Sequence, residues 1–96
     1  MKKFTFKKDE PARGLAAMAD HGGGTIKLCG KPCGFYQGNA DGEFNVFFSM
    51  VDPESKCGWK HIRLQKKFMS EGICRTWLQA HTAEILGTVK LYFNEK

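Results

Sequence analysis

The chain has no hydrophobic run long enough to cross a bilayer. Its most apolar stretch, Phe44 to Val51, is interrupted by Asn45 and Ser49, whereas a spanning helix needs roughly 20 apolar residues. The basic start Met1-Lys2-Lys3-Phe4-Thr5-Phe6-Lys7-Lys8 is not followed by the apolar core of a signal peptide. A soluble, cytoplasmic protein with no membrane partner is therefore expected. In a reducing compartment its 4 cysteines stay thiols. Internal repeats and low-complexity tracts are also lacking. Acids are few, 10 against 15 bases, which leaves a net charge of +5. At 96 residues the chain is one domain, residues 1–96. A domain of that size buries only roughly 65% of its unfolded surface. That volume has no room for a second lobe or a large cofactor, so no cofactor and no small-molecule substrate are expected.

What is present is an ordinary globular composition, 42% hydrophobic and 26% charged, well away from the disordered regime. Phe4-Thr5-Phe6 alternates like an edge strand. Ala12 to Asp20 places Leu15, Met18 and Ala19 on one face of a short helix, and the run His21-Gly22-Gly23-Gly24 reads as a flexible loop. The period then changes to two. Ile26 and Leu28 alternate with polar neighbours, Gly30-Lys31-Pro32 reads as a turn, and Cys33 to Tyr36 reads as its partner strand. Phe44, Val46, Phe48 and Met50 form the strongest half-buried strand signal. Asp52-Pro53-Glu54-Ser55 turns the chain, and Trp59 to Phe68 returns with Ile62, Leu64 and Phe68 inward.

Ser70 is a helix N-cap, and Ile73, Cys74, Trp77, Leu78, His81 and Ile85 recur at helical spacing up to Gly87. Val89, Leu91 and Phe93 alternate as a last strand. The expectation is an α+β fold: an antiparallel sheet of about five or six strands, one long C-terminal helix packed on one face, and a short N-terminal helix. Within it, Trp77, Leu78 and Ile85 are expected to pack against Phe44, Val46, Phe48, Ile62 and Leu64.

The motifs that carry chemistry are weak. Cys29, Cys33, Cys57 and Cys74 could offer four thiolates to zinc. Their spacing is C-x3-C followed by gaps of 23 and 16 residues, not the paired knuckles of structural zinc sites, so no metal is expected. His21-Gly22-Gly23-Gly24 looks like an oxyanion-hole segment, but no G-x-S-x-G elbow accompanies it. Cys57 and His61 would stand roughly 13 Å apart along a strand, too far for a nucleophile and its base. His81 reads as a half-buried histidine satisfied by a backbone group. No catalytic residues are assigned, and a non-enzymatic protein is expected.

The informative segment runs from Lys56 to Lys67. It holds Lys56, Lys60, Arg63, Lys66 and Lys67 with no acid between them, as many positive charges as the chain's net +5. Strand periodicity sets Trp59, His61, Arg63, Gln65 and Lys67 on one face, and Asn45, Phe47 and Ser49 of the neighbouring strand point the same way. Lys27 joins them from the preceding hairpin. The candidate binding residues are thus Lys27, Asn45, Phe47, Trp59, Lys60, His61, Arg63, Gln65, Lys66 and Lys67. Aromatic platforms beside Arg and Lys suit nucleic acid, with stacking and phosphate neutralisation shared between them. The same residue types mark protein interfaces, and the competing possibility is a basic strand whose aromatics are covered by the N-terminal segment or the last strand.

Residues 43–86 resemble the arm-type DNA-binding domain of phage-type tyrosine integrases. The likeness rests on Phe47, Asp52-Pro53-Glu54, Trp59, Lys66-Lys67-Phe68, Ser70-Glu71 and Trp77-Leu78. It implies a sheet inserted into the DNA major groove, with Arg63, Gln65 and Lys67 reaching DNA. The βββα core, preceded by a helix, also resembles double-stranded-RNA-binding domains. In size and style the chain is similar to small phage accessory proteins, a group that includes anti-CRISPR inhibitors. The expected function is a binding module that engages DNA or a nucleoprotein complex through its basic, aromatic-bearing sheet face. The alternative is a phage-encoded inhibitor that docks on and blocks a host defence protein.

Overall fold

The computed structural model describes residues 3–8 and 22–93. Strands β1 (Phe4–Lys8), β2 (Gly23–Leu28), β3 (Lys31–Gly38), β4 (Phe44–Val51) and β5 (Trp59–Arg63) form one antiparallel sheet in sequence order, followed by helices α1 (Glu71–Ala80) and α2 (Thr82–Thr88). The β2–β3 hairpin closes on Cys29-Gly30, with φ of 54° and 80°. Two consecutive positive φ values give the turn whose twist matches its flanking strands. The sequence suggested Gly30-Lys31-Pro32; the turn instead closes one residue earlier, and Lys31-Pro32 opens β3. The register then slips between Ile26 and Lys27, leaving Cys33 as the extra residue of a bulge. Its side chain is buried, and its thiol donates to the Ile26 carbonyl at 3.6 Å.

Alternation sends Phe4, Ile26, Leu28, Tyr36, Val46 and Phe48 to one face, where they meet Phe68, Cys74, Leu78 and Ile85 in the core. Two rings on this face are accommodated by glycines. A Cβ on Gly24 would lie 2.6 Å from the Tyr36 hydroxyl and 2.7 Å from the Lys7 carbonyl; one on Gly34 would collide with the Phe47 carbonyl and approach the Phe48 ring to 3.0 Å. The absent side chains let Phe48 reach Phe4 (centroids 5.4 Å) and Tyr36 reach Phe6 (6.2 Å). The glycine run expected as a flexible loop therefore contributes Gly23 and Gly24 to β2, both buried.

The single long helix of the sequence reading is instead two short ones, broken at His81. The Ser70 hydroxyl caps α1 by accepting from the Ile73 N–H at 3.2 Å, as expected of an N-cap. At the other end, side chains compete with the backbone for the last carbonyls. His81 Nδ1 bonds the Trp77 carbonyl at 2.8 Å, and the Thr82 hydroxyl bonds those of Leu78 (3.0 Å) and Gln79 (3.2 Å). The break leaves Ile85 buried in the core while Ile73 stays 54% exposed and Trp77 half-buried. Thr82 Oγ1 also accepts from the Phe4 N–H at 3.3 Å, and Gln79 Nε2 donates to the Phe4 carbonyl at 3.1 Å. The β1 edge is thus tied to the helices rather than left open. Among the described residues no helix precedes α1; the short helix expected over Ala12–Asp20 falls on residues outside them.

Among the described residues the sixth strand is also absent as such. Residues 89–93 make a single bridge, Leu91 with Met50, with the Val51 N–H donating to Lys90 O (2.9 Å) and the Tyr92 N–H to Ser49 O (2.8 Å). This stretch occupies the β4 edge that β3 leaves beyond the Gly34–Phe48 pair, where the bulge and Pro32, which has no N–H, end the ladder. β5 is likewise shorter than the expected Trp59–Phe68. The Lys66 N–H folds back to Leu64 O (2.8 Å), and Phe68 rejoins opposite Phe44, where straight continuation of the Phe47–Arg63 register would have put Lys66.

Candidate nucleic-acid interface

The face of the sheet turned away from the helices is built by the complementary set of strand positions. Its central row crosses all five strands through successive register pairs: Lys7, Thr25, Phe35, Phe47 and Arg63. Lys27 lies one row away opposite Thr5, and Asn45 opposite Gln37. At a strand spacing of about 4.8 Å, Lys7 and Arg63 stand roughly 19 Å apart at the two ends of the row.

The middle of this face is a continuous line of rings. Phe35 and Phe47 stack across the β3–β4 pair (centroids 4.8 Å, planes at 15°), and His61 meets Phe35 edge-on at 5.3 Å. Trp59 meets His61 edge-on at 4.8 Å and stacks on Tyr92 of the C-terminal segment at 5.6 Å, planes at 13°. His61 is exposed, and Phe35, Phe47, Trp59 and Tyr92 are half-buried. The last segment thus covers one side of Trp59 and adds a ring to the strip.

The structure places Lys27, Asn45, Phe47, Trp59, His61 and Arg63 together on this face. It does not place the remaining candidates there. Lys60 alternates onto the side of Ile62, with its Nζ 3.9 Å from Asp52. Lys66 turns to the helix side, its Nζ 5.5 Å from the ring centroids of both Phe68 and Trp77. Gln65 and Lys67 lie beyond the end of β5, and Lys67 is 3.9 Å from Glu43. The expected basic run is therefore dispersed: alternation within β5 turns Lys60 to the opposite side, and the end of the strand at Arg63 takes Lys67 off the row. Sequence reasoning missed Phe35, Lys7, Thr25, Gln37 and Tyr92. Alternation in β3 could have shown Phe35, but the bulge at Cys33 hides which face it takes.

Among the described residues every carboxylate lies in a loop or on a helix, at Asp41, Glu43, Asp52, Glu54, Glu71 and Glu84, and none at an outward strand position. Lys7, Lys27 and Arg63 make no ion pair within 4.0 Å among those residues, whereas Lys60, Lys67 and Arg75 each face an acid. A separate apolar groove on α1 is lined by Gly72, Ile73, Thr76, Trp77, Ala80 and His81, with Lys66 5.5 Å from the Trp77 ring.

The four cysteines do not converge. Cys29 and Cys57 are exposed in loops, Cys33 and Cys74 are buried in the core, and no group of three potential ligands forms among the described residues. Burial pushes the Cys33 thiol up to about 12 and the Cys74 thiol to about 11. The Ser55 hydroxyl, 3.3 Å from its sulfur, holds Cys57 below the usual thiol range. A disulfide reagent at neutral pH should therefore modify Cys29 and Cys57 rapidly, and Cys33 and Cys74 only on unfolding; four fast thiols would contradict this placement. The raised values also set a pH dependence. Below the ordinary thiol value of 9.0 the two buried groups are protonated in both states. Above it the unfolded chain ionises first, so stability should fall as pH rises from about 9 towards 11–12. Urea midpoints at pH 8 and 10.5 would show the fall, and Cys33→Ala/Cys74→Ala should make it shallower.

Taken together, the described residues form a five-stranded antiparallel sheet with helices on one face and, on the other, an aromatic surface to which no described acid contributes. No family model matches the sequence, and neither a curated protein nor a solved structure gives a match. Among the described residues no helix is long and apolar enough to cross a membrane.

Proposed function

We propose that this protein is a nucleic-acid-binding module that uses the outer face of its sheet. One observation carries the reading: the row Lys7–Thr25–Phe35–Phe47–Arg63, with cations at both ends, stacked rings in the middle and, among the described residues, no carboxylate at an outward strand position. Rings supply contact area to bases, and the terminal cations neutralise phosphates. The major-groove mode implied by the integrase likeness needed Arg63, Gln65 and Lys67 on one face, and only Arg63 is there.

The charge pattern makes the test specific to one face. With labelled oligonucleotides at low salt, Arg63→Glu and Lys27→Glu should each weaken binding and lower the slope of log affinity against log salt by roughly 0.7–0.9. Lys60→Glu and Lys67→Glu lie off the face and should leave that slope unchanged. No affinity at low salt, or equal effects from all four changes, would overturn the proposal. A protein partner, such as the host defence protein of the docking alternative, would then be the occupant to seek.

A further inference from the structure

We infer that the occupant of this face is a single strand, with unpaired bases stacked along the ring strip; this rests on the nucleic-acid reading above. Among the described strands three cations, Lys7, Lys27 and Arg63, stand at outward positions, and they lie at the margins. A duplex offers such a sheet only its phosphate backbone and groove edges, and its affinity is dominated by phosphate contacts. Here the centre of the face, where a duplex would press, holds rings instead of charge. The strip from Phe47 to Trp59 spans four residues of β5 register, roughly 13 Å. It is continuous through Phe35 and His61, with Tyr92 at its far end. A strip of two stacked ring pairs joined through His61 offers aromatic surface to bases free of pairing, and Asn45 and Gln37 beside it can bond exposed base edges.

Charge complementarity points the same way. The neighbouring acids are set against cations that lie off the face, Glu43 near Lys67 and Asp52 near Lys60. Among the described residues the outward strand positions therefore carry no fixed negative charge to oppose a threaded phosphate chain. With three cations at about 0.7 each, a single strand should bind with a log–log salt slope near 2 and retain much of its affinity at moderate salt. Stacking tolerates any base, so weak sequence preference is expected.

The experiment compares 12-nucleotide dT and rU strands with a hairpin duplex of equal length, by polarisation, over a salt series. Single strands should bind at least tenfold more tightly than the duplex, with the dT and rU arms showing whether the 2′-hydroxyl matters. Phe35→Leu and Trp59→Leu keep apolar bulk on a half-buried surface, so the fold should persist; circular dichroism checks it. Each should weaken single-strand binding roughly 5- to 150-fold with the salt slope unchanged, while Phe35→Tyr should restore it. Duplex preferred over single strand, or single strands bound equally by the leucine variants, would overturn this inference and leave the nucleic-acid reading standing. No binding to any of the three probes would overturn both.

Discussion

Phe48→Ala should remove about 3–5 kcal/mol of folding stability, a large share of the 5–15 kcal/mol typical of a domain. Phe48 sits at the middle of β4, is 1% exposed, and packs on Phe4 at 5.4 Å. Its ring therefore joins the centre of the sheet to the β1 edge, which the helices hold through Gln79 and Thr82. Truncation leaves a cavity flanked by backbone that cannot close over it, because the Gly34 position beneath has no side chain to refill the space. Trp77, the obvious anchor in the sequence, should cost less. It is half-buried at the helix margin, tilted against Phe68 at 5.5 Å and stacked on His81 at 4.0 Å. Urea unfolding of both variants decides the order. A larger loss from Trp77→Ala would mean that the core is centred on the helix instead of the sheet.

Gly34→Ala should be nearly as damaging, at about 3 kcal/mol, the upper part of the overpacking range. The added methyl would meet the Phe47 carbonyl and come within 3.2 Å of the Phe48 Cα. Backbone atoms of a paired strand cannot rotate aside as a flexible side chain does, so the β3–β4 ladder itself must move. Gly87→Ala is the contrasting case, since among the described residues, the backbone of its own helix aside, a methyl there would meet nothing within 4 Å; in α2 it should be neutral or slightly stabilising. Combining Gly34→Ala with Phe48→Ala should not restore stability, because the ring is removed but the carbonyl remains. A Gly34→Ala protein with a wild-type urea midpoint would show that β3 and β4 are more widely separated than described.

The outer face depends on the same register. Phe35 stacks on Phe47 only because the bulge at Cys33 restores the alternation of β3 after the Cys29-Gly30 turn. On the proposed function, a disruption at Gly34 should therefore weaken nucleic-acid binding as well as folding, whereas Phe35→Leu should affect binding alone. Comparing the two variants separates damage to the sheet from loss of a ring.

By itself the sequence determined the sheet class, the antiparallel order of the four central strand signals, the Ser70 cap and the face shared by Phe47, Trp59, His61 and Arg63. These are local properties: period-two alternation and capping chemistry act over a few neighbouring residues, and they were readable without a partner strand. Only the tertiary structure decided where β5 stops, and with it the fate of Lys66 and Lys67, because the return of Phe68 to Phe44 is a contact between distant residues. The same holds for the helix break at His81. A continuous apolar stripe favoured one helix, but carbonyls taken by the His81 and Thr82 side chains, and the Phe4 N–H bonded to Thr82, favoured two. Gly24 reads as loop material and Gly34 as an ordinary strand residue; the close approach of the Tyr36 and Phe48 rings to them is a tertiary fact. Periodicity tells which way a side chain points; it does not tell how far a strand runs or what lies over it, since those depend on pairing energies between segments remote in the chain.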